Sequence, residues 1–312
     1  MQRKAFIAAN WKMNKAPGEA AVLAQDALQR LGSSVTRSVG LAFCPPLVSL
    51  ASVASVLHFE HSKISLGAQD VFWQDDGAFT GATSARMLAE IGCRYCIVGH
   101  SERRYYFAET DEDISLKIAA LLRYRITPIL CVGESSEVRS AGARLAKRFV
   151  VQQLRSALGP IVKDNGSGHG DVDKTGLVVA YEPIWSIGTG QTATPATAQS
   201  MAEAIRKELD RLLGSERAEQ TPILYGGSLN ASNIAPFAVL PDIDGGLVGG
   251  VSLQAGEFAD LVKGFVKARR AGDSIQAADD APQANGDAPQ AASDALQATA
   301  GLIPSDLTPS EG

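Results

Sequence analysis

Eight short apolar runs, none with the apolar/polar alternation of a half-solvated strand, punctuate the first four-fifths of this chain. They are Ala5 to Ala9, Val39 to Cys44, Ile64 to Ala68, Tyr95 to Val98, Thr127 to Val132, Leu177 to Tyr181, Pro222 to Tyr225 and Gly246 to Val248. A sheet with one wet face would alternate, so these runs are expected to be strands covered on both faces, as in a parallel sheet. Longer segments with helical spacing lie between them: Pro17 to Leu31, Asp111 to Tyr124, Val138 to Leu158, Pro195 to Leu213 and Leu253 to Ala268. Pro17 and Pro195 fall where a first-turn proline is tolerated, and Asp111 to Asp113 place negative charge at a helix start. Eight strands alternating with helices over about 250 residues predict an α/β protein of the (β/α)8 barrel type. The rival, an open doubly wound sheet, would carry GxGxxG after its first strand, where this chain has AANWKMN.

Composition then limits what such a barrel can be. At 312 residues, 45% hydrophobic and 20% charged, the chain can bury a large core. After about Arg270 the residues change to Ala, Asp, Gln, Pro and Ser, and DAPQANG, DAPQAAS and DALQATA follow at a seven-residue step from Asp280. A coiled coil would need more apolar positions, and Pro282 and Pro289 interrupt the first two units. The expected organisation is therefore a catalytic barrel over 1–270 and a low-complexity acidic tail over 271–312, disordered because it buries too little apolar surface to offset the entropy of ordering. The net charge of −5 resides in that tail, since the remainder holds 29 basic against 27 acidic residues. No cluster of Lys and Arg suggests nucleic acid as the main partner. Cys44, Cys93, Cys96 and Cys131 read as core thiols, because no second CxxC or CxxH accompanies Cys93-x-x-Cys96. The N-terminal MQRKAFIAANWKMN has no signal-peptide pattern, and Pro45-Pro46 break the uncharged run from Gly40 to Leu57 that would otherwise suggest a membrane span. A soluble cytoplasmic protein without membrane association is expected.

On such a barrel, functional residues follow the C-terminal ends of the strands. Here those positions hold Asn10, Trp11 and Lys12 after the first strand, His100 to Arg104 after the fourth, Gly133-Glu134 after the fifth, Glu182 to Trp185 after the sixth, Gly226-Gly227-Ser228 after the seventh and Gly249-Gly250 after the eighth. One by one each has an ordinary structural reading: a solvated rim lysine, a turn glutamate, a hydrogen-bonding histidine. Their common location on one face argues against those readings jointly. A carboxylate, an imidazole and an ammonium form an acid/base set with an anion anchor, and glycine-rich segments offer backbone N–H groups to a phosphate. No His, Cys and carboxylate cluster has metal-ligand spacing, so proton transfer without metal or other cofactor is inferred.

NWKMN at 10–14, GAFTG at 77–81, VGHSERR at 98–104, CVGE at 131–134, AYEPIWSIGTGQTATP at 180–195, YGGS at 225–228 and GGLVGG at 245–250 resemble, in order, the signature segments of the triosephosphate isomerases. The resemblance covers residues 4 to about 268 and implies the TIM barrel, an aldose-ketose isomerisation of a phosphorylated triose through an enediolate in glycolysis and gluconeogenesis, and a homodimer. By motif it makes Glu182 the base, His100 the neutral electrophile and Lys12 the phosphate and enediolate partner, with Asn10 beside it. It assigns phosphate binding to the backbone of Gly188, Ser228, Gly249 and Gly250, and a lid to Pro183–Ala193. It also implies that Ile187 and Leu247 press on Glu182, Trp185 swings towards Glu134, Tyr225 latches the lid near Ala193, and Glu102 orients Lys12. Two rival readings are a four-carbon ketose phosphate as substrate and a catalytically silent binding barrel.

The chain departs from the pattern at Ser186 and Gln191 in the lid and at Val251 after the glycine pair. Ala82 stands where the family commonly has Glu, which is expected to leave Arg103 to find water or another acceptor and to weaken a dimer. The insertion Asp164 to Lys174, containing His169, reads as a surface loop, and His58 and His61 as solvated.

Overall fold

The computed structural model describes residues 3–164, 175–186 and 192–279. Its strands are β1 (Phe6–Asn10), β2 (Gly40–Cys44), β3 (Ser65–Ala68), β4 (Tyr95–Val98), β5 (Thr127–Val132), β6 (Val178–Tyr181), β7 (Ile223–Tyr225) and β8 (Gly245–Val248), each within a residue of a run read from sequence. All pairs are parallel, in the order β1 to β8, and Phe6 opposite Gly245 closes the ring.

The helices among the described residues are α1 (Pro17–Ser38), α2 (Leu50–Phe59), α3 (Ala85–Ile91), α4 (Ser101–Tyr106), α5 (Asp111–Arg123), α6 (Ser136–Ser140), α7 (Ala143–Asp164), α8 (Pro195–Leu213), α9 (Ser215–Gln220), α10 (Ala235–Ala238) and α11 (Ala255–Asp279). Thr110 caps α5 by accepting from the Asp113 N–H, and Thr194 caps α8 through Thr197. The sequence expectation of one helix from Val138 to Leu158 is corrected: Gly142, at φ 114, separates α6 from α7. In α1, Gly32 at φ 69 bends the helix where the sequence suggested its end. The last helix runs past Arg270 to Asp279, so the change in composition falls within it. The chain divides into units Met1–Asp273 and Ser274–Gly312. Residues 165–174, with His169, and the tail from 280 lie outside the described residues.

Two apolar layers follow from the period of two along each strand. Phe6, Ala8, Ala42, Ile129, Cys131, Val178, Ala180, Leu224 and Leu247 fill the barrel, while Ile7, Ala9, Val179 and Tyr181 face the helices. Continuing that alternation past the strand ends carries Asn10, Glu182, Gly226 and Gly249 inward at the C-terminal mouth. At the opposite end Asp244, wholly buried, accepts from Arg3 Nε, Arg206 and the Ile223 N–H, each at 3.0 Å, and so ties the seam between first and last strands. The four cysteines are buried and unbridged, and burial pushes the Cys93 thiol up to about 12. His58 and His61 are exposed, and no helix among the described residues is long and apolar enough to cross a membrane.

Candidate active site

Glu182 follows β6 with the inward parity of Val178 and Ala180, and its carboxyl group is buried. Oε2 accepts the Ser101 N–H at 2.9 Å, Oε1 lies 2.9 Å from His100 Nε2, and the Ser101 hydroxyl is 3.3 Å away. Burial would raise its pKa, but the attraction and hydrogen bond of His100, the Ser101 N–H and Lys12 together hold it below the ordinary value. Gly226 makes room for this side chain, since a Cβ there would stand 2.9 Å from Glu182 Cγ.

His100 breaks the strand parity because Gly99, at φ 70, turns the chain, and the imidazole then caps α4: Nδ1 accepts the Glu102 N–H at 3.2 Å. Burial disfavours charge on this ring and the Glu182 carboxylate favours it, raising its pKa in the paired arrangement. The second proton would have to sit on Nδ1, where the Glu102 N–H already points. That geometry opposes the imidazolium and fixes a neutral ring with its proton on Nε2, towards Glu182.

Lys12 holds the left-handed backbone conformation, φ 51, which a non-glycine residue adopts at a cost. Three contacts impose it: the Lys12 N–H donates to Asn10 Oδ1 at 3.0 Å, Gln69 Nε2 donates to the Lys12 carbonyl at 2.9 Å, and Nζ meets Glu102 Oε1 at 2.6 Å.

These side chains converge on one cavity of about 320 Å3, lined by Asn10, Lys12, His100, Glu182, Gly226, Gly227, Ser228, Leu229, Leu247, Gly249, Gly250 and Val251. Every sequence-predicted site residue among the described residues is therefore brought together. Gly188, with Ile187 and Gln191, lies outside them. Sequence reasoning did not single out Gln69 or Leu229. Gln69 follows the end of β3 directly and was accessible to the strand-end rule.

Around the cavity, Trp185 Nε1 donates to Glu134 Oε1 at 3.0 Å, and the Tyr181 hydroxyl donates to the same oxygen at 3.0 Å. The Ala193 N–H and the Ser186 side chain approach the Tyr225 hydroxyl, which burial pushes up to about 12. The Ala82 expectation is refined: Arg103 is not left to water, because Nη2 meets Asp70 at 2.9 Å and Nε meets Glu109 at 2.7 Å.

Carboxylate, imidazole and ammonium facing a glycine-rich wall, at the C-terminal mouth of a (β/α)8 barrel, define a barrel enzyme of the acid/base type. The family model described as Triosephosphate isomerase matches residues 5–265. Similar proteins include the triosephosphate isomerases of Chloroflexus aurantiacus, 47% identical over 82% of this chain and 97% of that protein, and of Carboxydothermus hydrogenoformans, 44% identical over 85% and 100%. That of Nocardia farcinica is 43% identical over 84% of this chain and 96% of its own length. The chain belongs to the triosephosphate isomerase family and is an isomerase.

Proposed function

We propose that the chain interconverts dihydroxyacetone phosphate and D-glyceraldehyde 3-phosphate by moving one proton between adjacent carbons, in the cytoplasm, on the glycolytic and gluconeogenic routes. The observation that carries this reading is the single cavity shared by Glu182, His100, Lys12 and the glycine-rich wall. The phosphate binds the N–H groups of Ser228, Gly249 and Gly250, joined by Gly188 from the lid, with Lys12 opposite them. Glu182 takes a proton from the carbon next to the carbonyl. Charge then develops on the carbonyl oxygen, where His100 Nε2–H and Lys12 stabilise the enediolate, and Glu182 returns the proton to the neighbouring carbon.

The resting contacts explain why the base needs a trigger. Held by Ser101 and His100, the Glu182 carboxylate is a weaker base than usual. Pro183 joins it to the lid, so lid closure that draws Glu182 away from those donors and expels water raises its basicity at the moment of use. The raised His100 pKa has the same origin, and it falls once Glu182 is protonated and neutral.

A second copy of the chain completes the proposal. A groove of about 1050 Å3 beside the mouth is lined by Met13, Phe72, Trp73, Tyr106 and Phe107 among others, and Met13, Tyr106 and Phe107 are exposed. Phe72 stacks on Trp73 at 4.1 Å and meets Phe79 at 4.5 Å, which stiffens the loop that would enter the groove of the second copy. Residues from 280 onward take no part in catalysis.

A coupled assay of the purified protein with glyceraldehyde 3-phosphate and, separately, with erythrulose phosphate tests the reading. Rapid turnover of the triose alone is expected; turnover of the four-carbon substrate in preference to it, or of neither, would overturn it.

A further inference from the structure

We infer that Asp70 completes the charge network of the groove within one chain, so that the second copy enters it as an uncharged wedge and a carboxylate arriving with that wedge is rejected. The inference rests on the proposed dimer and concerns what the groove selects.

Of the charged side chains that line it, four form one connected set, beside the Lys12–Glu102 pair and Asp113. Lys117 from α5 and Glu109 are buried; Arg103 from α4 and Asp70, just past β3, are partly covered. Asp70 meets Arg103 at 2.9 Å and Lys117 at 2.7 Å, while Glu109 meets Arg103 at 2.7 Å and Lys117 at 3.2 Å. Two cations are thus matched by two carboxylates, each cation touching both. The guanidinium also lies over the Phe107 ring at 4.6 Å, so its face is occupied as well as its edge. Such a set is already neutral, so a further anion would leave it with an unmatched negative charge, and covering it with a partner would strip water from that charge.

The protruding loop fits this set. Residues 77–83, GAFTGAT, carry no charge, and Phe79, partly exposed, is its largest apolar side chain. Ala82 lies on the rim of the groove and is exposed, so a side chain there faces the interface without supporting the fold of its own subunit. A neutral wedge and a set of charges already matched among themselves are complementary, and their affinity should change little with salt.

Equilibrium sedimentation across dilution, at low and high salt, tests this on the full chain and on Ala82→Glu, Asp70→Asn and the double variant. Wild type should dimerise with little salt dependence. Ala82→Glu should raise the dissociation constant at least about tenfold, since it buries a carboxylate against cations whose charge is already matched, and Asp70→Asn should do likewise by leaving a buried cation unmatched. The double variant, with the carboxylate restored from across the interface, should recover to within about threefold of wild type. Tighter association of Ala82→Glu, or a double variant weaker than either single one, would overturn the inference while leaving the dimer standing. A dimer that none of the variants changes would also overturn it and would move the contact to another face. A wild type that stays monomeric refutes the dimer itself. Ala82→Glu keeps the test open if Asp70→Asn lowers the melting temperature.

Discussion

Nε2 of His100 stands 2.9 Å from Oε1 of Glu182, while the other nitrogen of the same ring accepts a backbone N–H from Glu102. Those two contacts define a ring with one proton, facing the base. Nitrogen-15 NMR of labelled protein near neutral pH should show an unprotonated Nδ1 and a protonated Nε2. A spectrum of the doubly protonated ring at that pH would contradict the assignment.

The same pair has a consequence for stability. The folded pKa of Glu182 lies below its ordinary value of 4.5, so its contribution is present above about pH 4.5 and is lost as pH falls through the depressed value. The difference in Tm between wild type and Glu182→Gln should therefore be steady at higher pH and shrink on acidification below that window. A difference that grows on acidification would mean that the folded pKa is raised instead.

Glu102 acts through Lys12, holding Nζ at 2.6 Å. The pair is partly exposed, and its direct contribution to stability is about 0–1 kcal/mol. Its effect on position is larger, because a misplacement near 1 Å can cost about 10²-fold in rate. Glu102→Gln should lower kcat/KM by up to that factor with little change in Tm. Unaltered kinetics would remove Glu102 from the account.

Most of the barrel is legible in sequence because strands covered on both faces leave continuous apolar runs. Asn10 and Glu182 were legible for a related reason: they continue the inward alternation of Phe6 and Ala8, and of Val178 and Ala180. His100 escapes that alternation, since only the turn at Gly99 aims it inward, and was found by its place after the fourth strand and by its motif. The Asp70 network was not legible, as its members come from the loop after β3, from α4 and α5 and from the connection before α5, and meet only after the barrel closes. The helix α3, of seven residues, and α9, of six, are too short to display a 3.6-residue period.

The end of α11 was misplaced for a different reason. AGDSIQAAD resembles the tail in composition, yet alanine supports helix, and the chain stays helical to Asp279. Gly272 packs against Val239, with room for a Cβ only 3.1 Å from Cγ1. A chain ending at Asp279 should keep its Tm and kcat/KM, whereas one ending at Arg270 should melt lower, by about 2–4 °C for each kcal/mol of lost packing. Equal melting of the two would show that the last turns contribute nothing, and loss of activity in the longer one would give the tail a role.

The measurement closest to the central claim is the steady-state kinetics of Glu182→Asp with glyceraldehyde 3-phosphate. In the proposed reaction, shortening the side chain by one methylene withdraws the carboxylate from the carbon to be deprotonated but leaves the proposed phosphate wall of Ser228, Gly249 and Gly250 intact. The account predicts a fall in kcat of about 10²-fold with KM changed far less. A variant with wild-type kcat would contradict the assignment of Glu182 as the base.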